Sequence, residues 1–153
     1  MNALSLLRTT ASDPVFHELI TQLDQDLWSR YQPYQAKYDG FNKVDASARV
    51  VVVRQCEQAI GCGCFRPMTE PGFVEIKRMF VVPAFRGQGL ALQLLEELER
   101  WAKEDGFRTA RLETGNKQPE AVRMYEKAGY IRIANYGPYV GMETSICLEK
   151  RLI

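Results

Sequence analysis

A chain of 153 residues, 46% of them hydrophobic and 25% charged, is long enough to bury a sizeable core and reads as a single domain, 1–153. Its 20 basic and 19 acidic residues leave a formal charge of +1 with no basic block, which argues against nucleic acid as a partner. No apolar run approaches the ~20 residues of a membrane span and no leader-like stretch opens the chain, so a cytoplasmic protein with no membrane partner is expected.

Ser5 to Thr10 gives a weak first strand. Asp13-Pro14 then starts a helix, with Asp as N-cap and Pro at the first helical position. Phe16, Leu19, Ile20, Leu23, Leu27 and Trp28 form its apolar face through about Tyr31. His17 is the chain's one histidine and reads as a surface residue of that helix. Tyr31 to Asn42 is irregular and aromatic. Ala48 to Arg54 is a strand whose valines, Val50 to Val53, point to burial on both faces. A short turn at 55–58 leads to the strand Ala59–Phe65. Cys62-Gly63-Cys64 there sets both thiols on one face. With Cys56 and Cys147 they read as reduced cysteines, too few in ligands for a metal site.

After a turn at Pro67–Gly72, the strand Phe73–Val82 is stopped by Pro83. The turn Arg86-Gly87-Gln88-Gly89 follows and opens into a helix. Leu90, Ala91, Leu94, Leu95, Leu98, Trp101 and Ala102 share one face of that helix. Glu96 with Arg100 and Glu99 with Lys103 read as pairs on the wet side, and Gly106 reads as the C-terminal cap. Further elements are a strand Thr109–Thr114, a turn Gly115–Gln118, a helix from Pro119 to about Lys127 capped by Gly129, and strands Tyr130–Ala134 and Thr144–Leu152. An aromatic loop, Asn135 to Tyr139, joins the last two. The pattern predicts an α/β fold, a mixed and mostly antiparallel sheet of six to seven strands with about four helices.

The glycine turn carries the chemical signal. A strand that feeds a turn and then a helix start aims unpaired N–H groups and the positive end of the helix dipole at one point, a site for phosphate. Arg86 adds a permanent cation. No Gly-Lys-Ser/Thr follows, so this is not a nucleotide-binding P-loop, and Leu92 breaks the dinucleotide fingerprint. An ordinary strand–turn–helix remains the plain alternative.

Arg86-Gly87-Gln88-Gly89-Leu90-Ala91 resembles the R/Q-x-x-G-x-G/A signature of the GCN5-related N-acetyltransferases. Ala121, Tyr125, Gly129 and Tyr130 resemble a second segment of that family, except that Gln118 stands where the family has asparagine. The resemblance implies acetyl-CoA as co-substrate, with no metal. The pyrophosphate would lie on Arg86 to Ala91, and the pantetheine arm along Met79, Phe80 and Val81. Asn116 or Gln118 would hold that arm by its amide. Tyr125 would protonate the departing thiolate, and Glu75 would be the catalytic base. Glu113 is the competing carboxylate, as base or as a contact for a cationic acceptor. Tyr34 and Tyr139, from the two aromatic loops, would touch the acceptor. Each role has a structural alternative: a core tyrosine for Tyr125, a sheet-edge ion pair for Glu75.

The implied activity is acetyl transfer to a primary amine by direct attack on the thioester. The acceptor is a small molecule or a peptide; a protein or peptide N-terminal acetyltransferase is one alternative. An acyl-CoA-binding sensor with little turnover is another. Homodimers are common in the family, but no residue here signals one.

Overall fold

The computed structural model describes residues 4–31 and 45–153. Seven strands form one sheet: β1 (Leu4–Thr10), β2 (Arg49–Gln55), β3 (Gln58–Pro67), β4 (Phe73–Val81), β5 (Thr109–Gly115), β6 (Ile131–Ile133) and β7 (Ser145–Arg151). Their order is β1-β2-β3-β4-β5-β7-β6, and only the β4–β5 pair is parallel. The α-helices are α1 (Pro14–Tyr31), α2 (Leu90–Glu104) and α3 (Pro119–Lys127). The mixed, mostly antiparallel sheet is therefore as expected. The described residues hold three α-helices rather than four, with single 3₁₀ turns at Pro83–Phe85 and Gly137–Tyr139.

Side-chain alternation divides the core. Val51, Val53, Phe65, Val74 and Ile76 face α2 and α3, while Val50, Val52, Cys62, Cys64 and Phe80 face α1. All four valines of β2 are buried, as a central strand covered on both faces requires. α1 starts where Asp13 Oδ1 accepts the Val15 N–H at 2.9 Å. His17 lies exposed on it. α2 buries Leu90, Leu94, Leu95 and Leu98, each contributing about 1.5–3 kcal/mol, and the smaller Ala102. α2 and α3 both end in Schellman bonds: Phe107 N–H to Ala102 O at 2.9 Å, and Tyr130 N–H to Tyr125 O at 3.0 Å. Cys62 and Cys64 are buried and unoxidised, and burial pushes the Cys64 thiol up to about 12. Among the described residues no helix is long and apolar enough to cross a membrane.

Two expected surface pairs are corrected. Arg100 bonds Glu97, not Glu96. Glu99 is buried, where Tyr130 Oη donates to its Oε2 and Lys150 Nζ to its Oε1, each at 2.9 Å. The helical period puts Glu99 beside Leu98, on the flank that meets β7 and the end of α3. Periodicity alone could not show that flank to be covered. Glu99→Ala leaves a buried hydroxyl and a partly buried ammonium unpaired, so it should destabilise the protein by about 2–4 kcal/mol in urea unfolding. A variant within about 0.5 kcal/mol of wild type would show that the pair adds nothing.

Candidate active site

The site begins at a defect in β4. Cys62 pairs with Phe80 and Cys64 with Lys77, so β4 carries one residue more than β3 across this interval. Arg78, at the bulge, has φ 59°. Pairing of β4 with β5 runs from Phe73 and Thr109 to Ile76 and Leu112, and there it stops. Beyond that point the strands diverge. The Val82 N–H bonds Ile60 O at 2.9 Å, so the peptide groups of Val81 face the opposite way, into the gap. Val81 O receives Arg86 Nε at 2.9 Å.

A cavity of about 380 Å3 lies along this freed stretch of β4, with α1 and α3 as its other walls. Met79, Phe80 and Val81 form its strand wall; Arg86, Gly87, Gly89, Leu90 and Ala91 form the turn and helix start. Gly87 and Gly89 hold φ of 83° and 77°, which L side chains rarely adopt, and a Cβ on either would meet nothing within 4 Å. Gly89 is the N-cap of α2 and supplies no side-chain cap. Gln93 N–H makes the first helical bond, to Gly89 O at 3.2 Å, so the N–H groups before it have no intrahelical acceptor. Arg86 lies over the Phe80 ring at 5.6 Å with Nη2 3.5 Å from Asp26. This cradle suits a pyrophosphate: open space, unpaired donors, a dipole and a cation. Gln88 is not on the cavity wall. Of the two amides, Gln118 is on the wall and Asn116 is not; the Asn116 N–H bonds Thr144 O at 2.9 Å.

Sequence reasoning missed the far wall. Leu23, Asp26 and Arg30 of α1 line the cavity, and Arg30 Nη1 reaches Glu120 Oε1 of α3 at 2.7 Å. No local motif marks these residues, because the fold brings them from some 60 residues upstream of the glycine turn. Met124 and Glu120 line it from α3.

Tyr125 lies on the cavity wall, buried, and its hydroxyl has no hydrogen-bond partner among the described residues. Burial, then the nearby charge of Glu113, raises its pKa, so the phenol keeps its proton at neutral pH. Glu113 is half-buried at the end of β5 and accepts from Ser145 Oγ at 2.7 Å. Burial pushes Glu113 up to about 7, against the opposing pull of the Ser145 bond and Lys77. Glu75 differs. It is 2% exposed, and both its oxygens are taken: Oε1 by Arg66 Nη2 at 2.7 Å with Lys77 Nζ at 3.9 Å, Oε2 by Tyr136 Oη at 2.7 Å. Tyr139 is buried beside this network, its hydroxyl 3.4 Å from Lys77 Nζ, and does not line the cavity. Tyr34 lies outside the described residues. Among those residues no group of three or more His, Cys, Asp and Glu is placed to hold a metal.

The sequence matches the model of the acetyltransferase (GNAT) family over residues 14–130. It is 32% identical over 154 residues to the IAA acetyltransferase of Azospirillum brasilense, covering 99% of this chain and 100% of that protein. It is 32% identical to the uncharacterized N-acetyltransferase YjgM of Escherichia coli, over 74% of this chain and 64% of that one. A Klebsiella pneumoniae structure assigned as an acyl-CoA N-acyltransferase superposes with TM-score 0.81 at 30% identity, over 98% of both chains. An Elizabethkingia anophelis acetyltransferase with acetyl-CoA bound shares the fold, with TM-score 0.70 at 21% identity over 97% of both. With its glycine cradle, parted strands and matching sequence, the chain belongs to the GNAT family of acetyl-CoA-dependent N-acetyltransferases.

Proposed function

We propose that this single domain transfers acetyl from acetyl-CoA directly to a primary amine, with Glu113 as base and Tyr125 as acid. One observation carries the reading. The stretch of β4 beyond its last pair with β5, the α2 N-terminus and Tyr125 line one cavity, and Glu113, the residue after that last pair on β5, is close enough for its charge to act on Tyr125. Bound there, acetyl-CoA supplies an activated acetyl thioester. The cradle from Arg86 to Ala91 holds its pyrophosphate, and the Met79–Val81 edge takes its arm as a strand takes a neighbour. A β4 backbone N–H facing the gap stabilises charge on the carbonyl oxygen. Gln118 is the amide positioned to hold the arm.

An ammonium acceptor sheds two protons as its N–C bond forms and the C–S bond breaks. Glu113 takes one and passes it to solvent; the other restores the proton that Tyr125 gives to sulfur. Glu113 suits this task better than Glu75. Its carboxyl titrates near the working pH with one hydrogen bond to a neighbour, whereas Glu75 is held by an arginine and a tyrosine. Tyr125→Phe removes only the hydroxyl, which makes no bond to the described residues, so stability should be kept. Turnover, followed by release of free coenzyme thiol, should fall about 100-fold in kcat with little change in KM for acetyl-CoA. Unchanged kcat would remove the acid role from Tyr125.

A further inference from the structure

The acceptor can be narrowed further, on the footing of the acetyltransferase reading above. Because of the bulge, Lys77 and Arg78 both serve the α1 face, while Met79 turns to the α2 side. Arg78 is held at positive φ, a conformation that is strained for a non-glycine residue. Its side chain is only 9% exposed. Nη1 donates to Asp24 Oδ1 of α1 at 2.6 Å, a carboxylate that is itself 48% exposed. Nε is buried and has no partner among the described residues. A buried unpaired donor on a permanent cation is costly to keep. It belongs to one of the two guanidinium edges through which arginine grips a carboxylate with two parallel bonds.

Glu113 stands on the same face, one strand over. Ile76 and Leu112 are the last paired residues, so Lys77 and Glu113 come next and Arg78 follows at once. The neighbouring charges serve one another: Glu75 holds Arg66 and Lys77. That leaves a half-buried carboxylate with one hydroxyl bond and a buried guanidinium with an unpaired Nε. An ammonium suits the first and a carboxylate the second.

We propose that Arg78 anchors a carboxylate of the acceptor, so that the acceptor is an amine that also carries a carboxylate, the chemistry of an amino acid, with its nitrogen toward Glu113. The test is thiol release from acetyl-CoA with a panel of free L-, β- and γ-amino acids, each beside its carboxamide. At least one free acid is expected to be acetylated, with its carboxamide about 100-fold poorer in kcat/KM. In Arg78→Gln that preference should fall to about threefold, mostly through KM, and Arg78→Lys should restore part of it. Melting curves with acetyl-CoA are run on every variant. Carboxamides as good as acids would overturn the proposal, as would an intact preference in a folded Arg78→Gln. So would the absence of any amino acid turnover by protein that acetyl-CoA stabilises, an outcome that leaves the acetyl-CoA site standing. No stabilisation by acetyl-CoA would overturn that site, and this proposal with it.

Discussion

Glu113→Gln should lower kcat/KM about 1000-fold and abolish the rise of rate with pH that wild type shows below about pH 7. A general base works only when deprotonated. Burial pushes Glu113 up to about 7, so the active form accumulates as pH rises through that value and then saturates. The loss lies within the range for a positioned base. Stability should move the other way. The native state keeps the Glu113 proton to about pH 7, whereas an unfolded glutamate releases it near its ordinary value of 4.5. Native stability from this group is therefore complete below about 4.5 and is lost as pH rises through about 7. The amide introduced by Glu113→Gln cannot ionise, so the variant should melt higher than wild type at pH 8 while being nearly inactive. A variant that keeps the limb near pH 7, with activity within about threefold of wild type, would move the base role to Glu75 or to water. Glu75→Gln would then decide between those two.

Gly89→Glu should weaken acetyl-CoA binding by about 1000-fold or more in calorimetry while leaving a folded protein. The added Cβ meets nothing within 4 Å, so no atom clashes, and the φ of 77° costs the new residue roughly 1–2 kcal/mol. The carboxylate then sits at the α2 N-terminus, in the space assigned to the pyrophosphate. One like-charge pair at ~4 Å and an effective dielectric near 20 opposes binding by about 4 kcal/mol, which is about 1000-fold. Gly89→Ala carries the same backbone strain without the charge and should lose only about tenfold. Equal losses in the two variants would mean that the turn matters for shape alone.

The features most legible in the sequence are those set by local chemistry. Pro119 at a helix start and Gly129 after its end bracket α3 at both limits. The valine run of β2, the leucine stripe of α2 and the glycine turn each carry their own cause within a dozen residues. The bulge at Arg78 does not. Lys77-Arg78-Met79-Phe80 contains no glycine or proline, and only the pairing with β3 and the parting from β5 make an extra residue there useful. The α1 wall of the cavity and the inward turn of Glu99 depend on contacts between segments far apart in the chain. Glu75 is the natural carboxylate to name from its strand position. Its partners Arg66 and Tyr136 come from β3 and from the loop before β7, so its occupation shows only in three dimensions. Glu113 carries no motif; its acidity depends on how deeply the end of β5 is covered.

The most direct test of the site is the melting temperature of coenzyme-stripped protein with and without acetyl-CoA at about 100 times its Kd. Ligand held by the native state alone adds about 2.7 kcal/mol, a rise of roughly 5–10 °C for a chain of this size. The expected result is that rise in wild type and its absence in Gly89→Glu at the same concentration. No rise, from protein shown by mass spectrometry to be free of coenzyme, would contradict the assignment of the cavity along β4 and the glycine turn as the acetyl-CoA site.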